Sequence, residues 1–150
     1  MKKAVMYGAG NIGRGFIGKT FSQSGYDVCF VDVDAGVVGK LNEDKCYPVK
    51  FVTNHWQREE IVADVRAADG TDIDAVANEI AEADIVATAV GVNALPHIVK
   101  PICAGLKKRF DADGESLDII ICENMLYADQ YIRKLIEGAG YKPVLDQKSA

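Results

Sequence analysis

Three glycines near the start of the chain constrain its fold more than any other feature. Gly8, Gly10 and Gly13 form a Gly-x-Gly-x-x-Gly pattern. The apolar run from Lys3 to Tyr7 that precedes them predicts a strand buried on both faces. From Asn11 onward apolar residues recur at helical spacing, which predicts a helix of about four turns. The glycines therefore connect a buried strand to the start of a helix.

Each glycine has its own physical role in such a connection. Gly8 permits the tight turn, Gly10 lets a ligand approach the backbone without meeting a Cβ atom, and Gly13 lets the helix pack closely on the strand. The unpaired amides at the helix start and the positive end of the helix dipole favour a pyrophosphate there. We expect Asn11 and Ile12 to donate these backbone N–H groups.

Three further residues of the predicted helix stand out. Arg14 is a candidate to add positive charge beside the pyrophosphate, with an ordinary surface position as the equal alternative. Gly15 and Gly18 are unexpected, because a glycine inside a helix costs about 1 kcal/mol relative to alanine. The sequence predicts that another group packs closely against them; the alternative is a helix that merely tolerates its glycines.

An acidic residue completes the pattern. The second buried strand, Val28 to Val31, ends at Asp32, about 20 residues after the glycines, where a carboxylate accepts hydrogen bonds from an adenosine ribose. This carboxylate would repel the 2′-phosphate of NADP, and no arginine lies beside it, so the predicted cofactor is NAD. The alternative is that Asp32 caps the next helix, a role that suits Asp34 better.

Strand and helix patterns alternate along the remaining chain. Further strands are predicted at Tyr47–Thr53, Ile61–Arg66, Asp84–Val90, Leu117–Cys122 and Tyr141–Leu145, and further helices at Ala35–Asn42, Ile73–Ala81, Leu95–Phe110 and Tyr127–Ile136. The first two of these strands are expected to pair through His55-Trp56, and Pro101 is expected to end or kink its helix. The alternation predicts an α/β fold with a doubly wound, mostly parallel sheet, the Rossmann fold of NAD(P)-binding domains.

Two later strand ends are expected at the same edge of this sheet. Ala89, Val90 and Gly91 end one of them, and the small residues there leave room for a cofactor. Asn124 follows the next strand and is a candidate to reach a substrate oxygen or the nicotinamide. A turn or a helix cap is the alternative for Asn124.

Composition excludes several other classes of protein. The net charge of -5 disfavours a nucleic-acid binder. The sequence has no long apolar segment that would anchor it in a membrane and no cleavage site that would indicate export, so a cytoplasmic protein is expected. The 4 cysteines have no Cys-x-x-Cys spacing and the 2 histidines are isolated, so no metal site is expected.

Three stretches give the chain a resemblance to a known family. Residues 8–18, Thr88 to Gly91 and Cys122 to Met125 resemble the mannitol-1-phosphate 5-dehydrogenases, a group of polyol-specific long-chain dehydrogenases. The resemblance implies an oxidoreductase that transfers hydride between NAD and a sugar alcohol phosphate, converting D-mannitol 1-phosphate and D-fructose 6-phosphate. It places Asn124 near the reacting carbon. With the residues above, the predicted cofactor site comprises Ala4, Val5, Met6, Tyr7, Gly8, Ala9, Gly10, Asn11, Ile12, Gly13, Arg14, Gly15, Asp32, Val33, Ala89, Val90 and Gly91.

Members of this family resemble two-domain proteins whose C-terminal half carries a catalytic lysine. Residues 1–150 are therefore expected to form an NAD-binding Rossmann domain without the C-terminal catalytic domain, and no catalytic residue is assigned in this chain. Self-association is expected through the surface that such a domain would cover. A stand-alone NAD-binding or redox-sensing module without catalysis is the alternative function, and FAD and S-adenosylmethionine are alternative ligands of a glycine-rich turn.

Overall fold

A five-stranded parallel sheet forms the centre of the molecule in a computed structural model that describes residues 1–140. The strands of the chain are β1 (Lys3–Tyr7), β2 (Asp27–Asp32), β3 (Cys46–Val52), β4 (Gln57–Ala63), β5 (Val65–Asp69), β6 (Ile85–Thr88) and β7 (Asp118–Ile121). The central sheet has the order β5-β2-β1-β6-β7, and every neighbouring pair is parallel. The predicted α/β class and doubly wound parallel sheet are confirmed. The strand predicted at Tyr141–Leu145 lies outside the described residues.

Five helical segments connect these strands. The first, α1, is continuous over residues 11–23, with a π-helical part at Gly13–Gly18 followed by an α-helical part at Lys19–Gln23. The others are α2 (Ala35–Asp44), α3 (Ile73–Glu82), α4 (Leu95–Asp111) and α5 (Ala128–Gly138). A short 3-10 turn at Val92–Ala94 leads into α4. Each predicted helix is therefore present within one or two turns of its predicted bounds.

The central strand shows why helices cover both faces of the sheet. Successive side chains of a strand point to opposite faces. Val5 and Tyr7 of β1 therefore belong to one buried cluster, which they share with residues of α3, α4 and α5. Ala4 and Met6 belong to a second buried cluster, formed with residues of α1, α2 and the β3–β4 pair. A strand buried on both faces must be apolar throughout, which is the pattern its sequence has.

The two extra strands form a separate antiparallel hairpin, β3 with β4. The hairpin is fixed to α1 by Tyr47, whose hydroxyl donates a hydrogen bond of 2.7 Å to the Arg14 carbonyl. The Tyr47 ring also packs edge-on against Phe30, with ring centroids 5.6 Å apart. Burial raises the pKa of Tyr47 above its usual range, more than the nearby Arg14 lowers it, so the phenol remains a protonated donor.

The prediction of one strand over Ile61–Arg66 is wrong. β4 ends at Ala63, Asp64 adopts a left-handed conformation with φ 58°, and β5 begins at Val65. Val65 then pairs with Val28 in the central sheet, whereas Val62 pairs with Tyr47 in the hairpin. The break at Asp64 has no glycine or proline to mark it in the sequence. The apolar pattern therefore runs from the hairpin into the central sheet without interruption and predicts one strand.

Pro101 does not end its helix, contrary to one of the two expectations for it. Helix α4 continues from Leu95 to Asp111, and Pro101 lies inside it in a buried position. Proline cannot donate the usual helical hydrogen bond, so packing of the ring has to offset that loss. Among residues 1–140, no helix is long and apolar enough to cross a membrane.

The packing of α3 against α4 can be tested at Gly105. A Cβ atom at Gly105 would lie 2.6 Å from Cβ of Ile80, too close for carbon atoms, whereas a Cβ at Gly39 of α2 would touch nothing within 4 Å. We expect Gly105→Ala to lower the free energy of unfolding by about 1–3 kcal/mol because the helices must move apart. Gly39→Ala should be neutral or raise it by up to about 1 kcal/mol. Urea unfolding measures both, and equal effects would contradict the packing described.

Candidate functional site

The glycine turn after β1 packs closely between the end of β2 and the segment that follows β6. Gly8 has φ +108°, and a Cβ there would lie 2.3 Å from the Ala89 carbonyl oxygen. A Cβ at Gly13 would lie 2.1 Å from the Gly8 carbonyl oxygen. The Gly8 amide donates to the Val31 carbonyl at 2.7 Å, and the Ala89 amide donates to the Tyr7 carbonyl at 2.8 Å. No residue with a Cβ fits at the first or third glycine without displacing backbone.

The middle glycine has the opposite surroundings. A Cβ at Gly10 would meet no atom within 4 Å. Asn11 and Ile12 follow it at the exposed start of α1, and the Ile12 side chain is 59% exposed. Free space beside Gly10 and uncovered residues at a helix start provide what an anionic ligand requires.

The Asp32 carboxylate holds this turn to the end of β2. One carboxylate oxygen accepts from the Ala9 amide at 2.8 Å and the other from the Asp34 amide at 2.9 Å. Asp34 caps α2, since its side chain accepts from the amides of Gly36 and Val37. The capping alternative therefore belongs to Asp34, as expected. Each Asp32 oxygen accepts one of these bonds and retains acceptor capacity for a ligand hydroxyl.

A groove of about 390 Å³ runs along the carboxyl edge of the sheet. It passes over the glycine turn and beside Asp32, at the place where open α/β sheets bind ligands. Predicted site residues that line the groove are Tyr7, Gly8, Gly10, Asp32, Val33, Ala89 and Val90. Lining residues that the sequence analysis did not assign to the site are Val31, Gly70, Ala94, His97 and Ile98.

Other predicted site residues do not line this groove. Ala4, Val5, Met6 and Ala9 are buried at 0–2% exposure and support the turn from beneath. Asn124 is exposed on the loop after β7, and the residue that precedes α5 as its N-cap is Tyr127. The structure thus removes the helix-cap alternative for Asn124 but does not bring its side chain to the groove.

Sequence reasoning missed Glu123, the residue before Asn124. Its carboxylate accepts from the Thr88 hydroxyl at 2.9 Å, from the Val90 amide at 3.0 Å and from the Gly91 amide at 2.9 Å. Thr88 is fully buried. Glu123 therefore fixes the loop after β6, where Gly91 has φ +93°. The sequence does place a threonine, Thr88, at the end of one predicted strand and a carboxylate, Glu123, just after the next, and this pair could have predicted the contact.

The two unexpected glycines of α1 differ. A Cβ at Gly18 would lie 2.5 Å from Cζ of Phe30, which confirms the predicted close packing. At Gly15 no other part of the described chain lies within 4 Å of an added Cβ, so no protein group packs closely there. Gly15 instead lines a second cavity, of about 300 Å³, between α1 and β3, together with Asn11, Arg14, Tyr47, Pro48, Val49 and Lys50.

Comparison with known proteins gives a family and a fold. Residues 2–149 match the mannitol dehydrogenase Rossmann domain. The chain is 47% identical over 131 residues to a mannitol-1-phosphate 5-dehydrogenase of Brevibacillus brevis, covering 87% of this chain and 34% of that protein. It is 39% identical over 137 residues to the enzyme of the same name from Lactococcus lactis, covering 91% of this chain and 36% of the relative. The chain thus spans about a third of these relatives' length.

A solved structure extends the comparison of folds. Mannitol 2-dehydrogenase of Pseudomonas fluorescens, in a ternary complex with NAD and D-mannitol, superposes with a TM-score of 0.77. The superposition covers 97% of this chain and 39% of that one, at 14% sequence identity. At that identity the likeness concerns the fold alone.

Glu123→Ala tests the tie between β7 and the loop after β6. Three donors would lose their acceptor, one of them a hydroxyl that is fully buried. We expect the free energy of unfolding to fall by about 2–3 kcal/mol, and the Val90 and Gly91 amides to exchange their hydrogens faster. Glu137→Ala on the exposed side of α5 is the matched control and should change the free energy by less than about 0.5 kcal/mol. If the two variants behave alike, Glu123 does not hold the loop.

Proposed function

Because the chain belongs to the mannitol dehydrogenase Rossmann-domain family, we propose that it binds NAD and serves an oxidoreductase acting on a sugar alcohol phosphate. NAD would lie along the groove at the carboxyl edge of the sheet. The hydride would pass between this cofactor and D-mannitol 1-phosphate or D-fructose 6-phosphate. The relatives' name supports this substrate class, because Brevibacillus and Lactococcus proteins that share this domain are mannitol-1-phosphate 5-dehydrogenases.

One observation carries the cofactor assignment. The Asp32 carboxylate is fixed beside the groove by the Ala9 and Asp34 amides. It lies next to Gly10, where the backbone has free space. A ribose hydroxyl would donate to Asp32, and the pyrophosphate would cross Gly10 towards the amides of Asn11 and Ile12.

The same carboxylate supports NAD over NADP. A 2′-phosphate on the adenosine ribose would face the negative charge of Asp32 in a partly buried position. The residues that line the groove include neither lysine nor arginine, so nothing in the lining would neutralise an added phosphate. Val33, next to Asp32, is 69% exposed and offers only an apolar surface.

Bound NAD would supply the hydride acceptor, and this chain would position it. Gly8 and Gly13 keep the start of α1 close to β1 and β6. Glu123 fixes the loop at Val90 and Gly91, which borders the same edge. Burial raises the pKa of Tyr7, which lines the groove, to about 12, so this phenol would stay protonated at neutral pH.

Proton transfer is assigned to residues outside the part of the chain that matches this family's Rossmann domain. The relatives are about three times as long as the matched segment. Exposed apolar side chains support contact with a further domain or with a second copy: Ile12 at the start of α1, Phe16 within α1, and Leu126 and Tyr127 on the loop after β7. The proposal is that such a domain covers this surface and supplies the acid–base group.

NADH titration by calorimetry tests the cofactor site, with Gly10→Val as the key variant. The added side chain would lie in the expected path of the pyrophosphate, and its Cβ would meet no protein atom within 4 Å. We expect NADH affinity to fall at least about tenfold while the melting temperature stays close to that of the original chain. A Cβ at Gly39 of α2 would also meet nothing within 4 Å, so Gly39→Val is the control and should bind NADH normally. Unchanged binding in Gly10→Val would place the cofactor elsewhere.

Asp32→Asn tests the selectivity. The amide keeps one acceptor oxygen but removes the charge, so the preference for NADH over NADPH should fall about tenfold. Asp34→Asn removes a charge two residues away, and asparagine still caps the start of α2. We therefore expect Asp34→Asn to keep the original ratio of the two dissociation constants. A ratio that does not change in Asp32→Asn would show that another group excludes NADPH.

A further inference from the structure

His97 is the one exposed aromatic side chain among the described residues that line the groove at the carboxyl edge of the sheet. Tyr7, the other ring in the lining, is only 3% exposed. The imidazole of His97 forms no hydrogen bond, ion pair or ring stack with any side chain of residues 1–140. An exposed ring on a groove wall, without such a partner in the protein, is available to a ligand.

The first turn of α4 fixes the backbone of His97. Leu95 and Ile98, close to it in the chain, are buried at 0% and 5% exposure in the cluster that α4 forms with one face of the sheet. The Ala94 amide donates to the Gly91 carbonyl at 3.0 Å and so holds the short 3-10 turn that leads into the helix. His97 therefore has a set place on the groove wall, although its side chain is exposed.

The ends of β2 and β5 supply the lining on the strand side of the groove. The Gly70 amide donates to the Asp32 carbonyl at 2.8 Å, so the segment after β5 is held against the end of β2. A Cβ at Gly70 would lie 3.1 Å from Cγ1 of Val33, so a larger residue would have to displace the Val33 side chain. The glycine thus lets Val33 keep its place in the lining.

Asp32 determines which part of the cofactor comes near His97. In the proposed function a ribose hydroxyl donates to this carboxylate and the pyrophosphate crosses Gly10. The adenine is bonded directly to that ribose, so it has to lie in the groove close to Asp32. The lining that remains for it is apolar apart from the imidazole, and consists of Val33, Gly70, Ala94, His97 and Ile98.

We propose that the imidazole of His97 stacks on the adenine ring of NAD, which makes His97 a residue that positions the cofactor. The inference rests on the proposed function, because it requires the groove to bind this dinucleotide. Every base has a π face on which an aromatic side chain can stack, and the contact needs no hydrogen-bond partner. Removal of such a ring weakens binding about fivefold or more in proteins that stack bases.

The surroundings of His97 favour stacking over a hydrogen bond to the pyrophosphate. Its neighbours in the lining on the α4 side are Ala94 and Ile98, whose side chains have no polar atoms. The amides expected to bind the pyrophosphate belong to Asn11 and Ile12, and neither residue lines the groove with His97. The imidazole therefore lies with the apolar part of the lining, which suits the face of a base.

The chain has 2 histidines, so NMR of their ring protons can test the contact directly. The full chain is titrated with AMP, and His55→Ala assigns the two sets of signals. We expect the adenine ring current to move the His97 ring protons upfield, while those of His55, exposed in the loop between β3 and β4, stay in place. Ribose 5-phosphate has the sugar and a phosphate but no base, and should move neither set.

Calorimetry of three variants separates stacking from other contacts. NADH affinity should fall about fivefold or more in His97→Ala, stay within about threefold of the original in His97→Phe, which keeps a ring, and not change in His55→Ala. The ratio of the NADH and NADPH dissociation constants should be the same in all three, because Asp32 is untouched. Their melting temperatures should match that of the original chain, since both histidines are exposed.

Two results would overturn the proposal. Normal NADH affinity in His97→Ala, or bound AMP that leaves the His97 ring protons in place, would show that the adenine lies elsewhere. Equal losses in His97→Ala and His97→Phe would replace stacking by a hydrogen bond from the imidazole. Failure of the proposed function has a different signature, since the original chain would then bind neither NADH nor AMP.

Discussion

The close approach of α1 to the ends of β1 and β6 is the constraint on which the rest of the site depends. A Cβ at Gly13 would lie 2.1 Å from the Gly8 carbonyl oxygen, and a Cβ at Gly8 would lie 2.3 Å from that of Ala89. Backbone meets backbone at both places, so no rotamer change can relieve a larger residue. This contact brings the helix start to the carboxyl edge, where its free amides and positive dipole end meet the groove.

Two carboxylates then hold the loops on either side of that contact. Asp32 ties the glycine turn to the end of β2, and Glu123 ties the loop after β6 to the end of β7. Each accepts backbone amides that a loop at a sheet edge would otherwise leave to solvent. The loops after β1 and β6, which border the crevice between these strands, are therefore each held by a carboxylate at the end of the next strand in the sheet. Such fixed borders reduce the ordering that a bound dinucleotide would have to impose.

Sequence predicted the features that have a local signal. The glycine spacing and the apolar run before it were enough for the strand, turn and helix, because the whole pattern lies within one short stretch of sequence. The boundary at Asp64 was not predicted, since a left-handed non-glycine residue carries no such signal. Glu123 was missed because its partners lie more than 30 residues earlier, Thr88 at the end of β6 and the Val90 and Gly91 amides in the loop that follows it. For Gly15 the sequence indicated an unusual position but not whether protein or open space lies beside it.

The double role of Asp32 couples cofactor selectivity to the fold. One of its oxygens holds the Ala9 amide while the same group is placed to meet the ribose. A substitution of Asp32 that allows NADP to bind has to be uncharged or positive and still accept a hydrogen bond from the Ala9 amide. Leucine and lysine have no acceptor atom and cannot do so. Asparagine retains an acceptor but offers no cation to the phosphate. The adjacent Val33 is exposed and forms none of these hydrogen bonds, so an arginine there could supply the charge without loosening the turn. Selectivity at this site therefore depends on two neighbouring positions: position 32 must keep an acceptor for the Ala9 amide, whereas position 33 takes part in none of these hydrogen bonds.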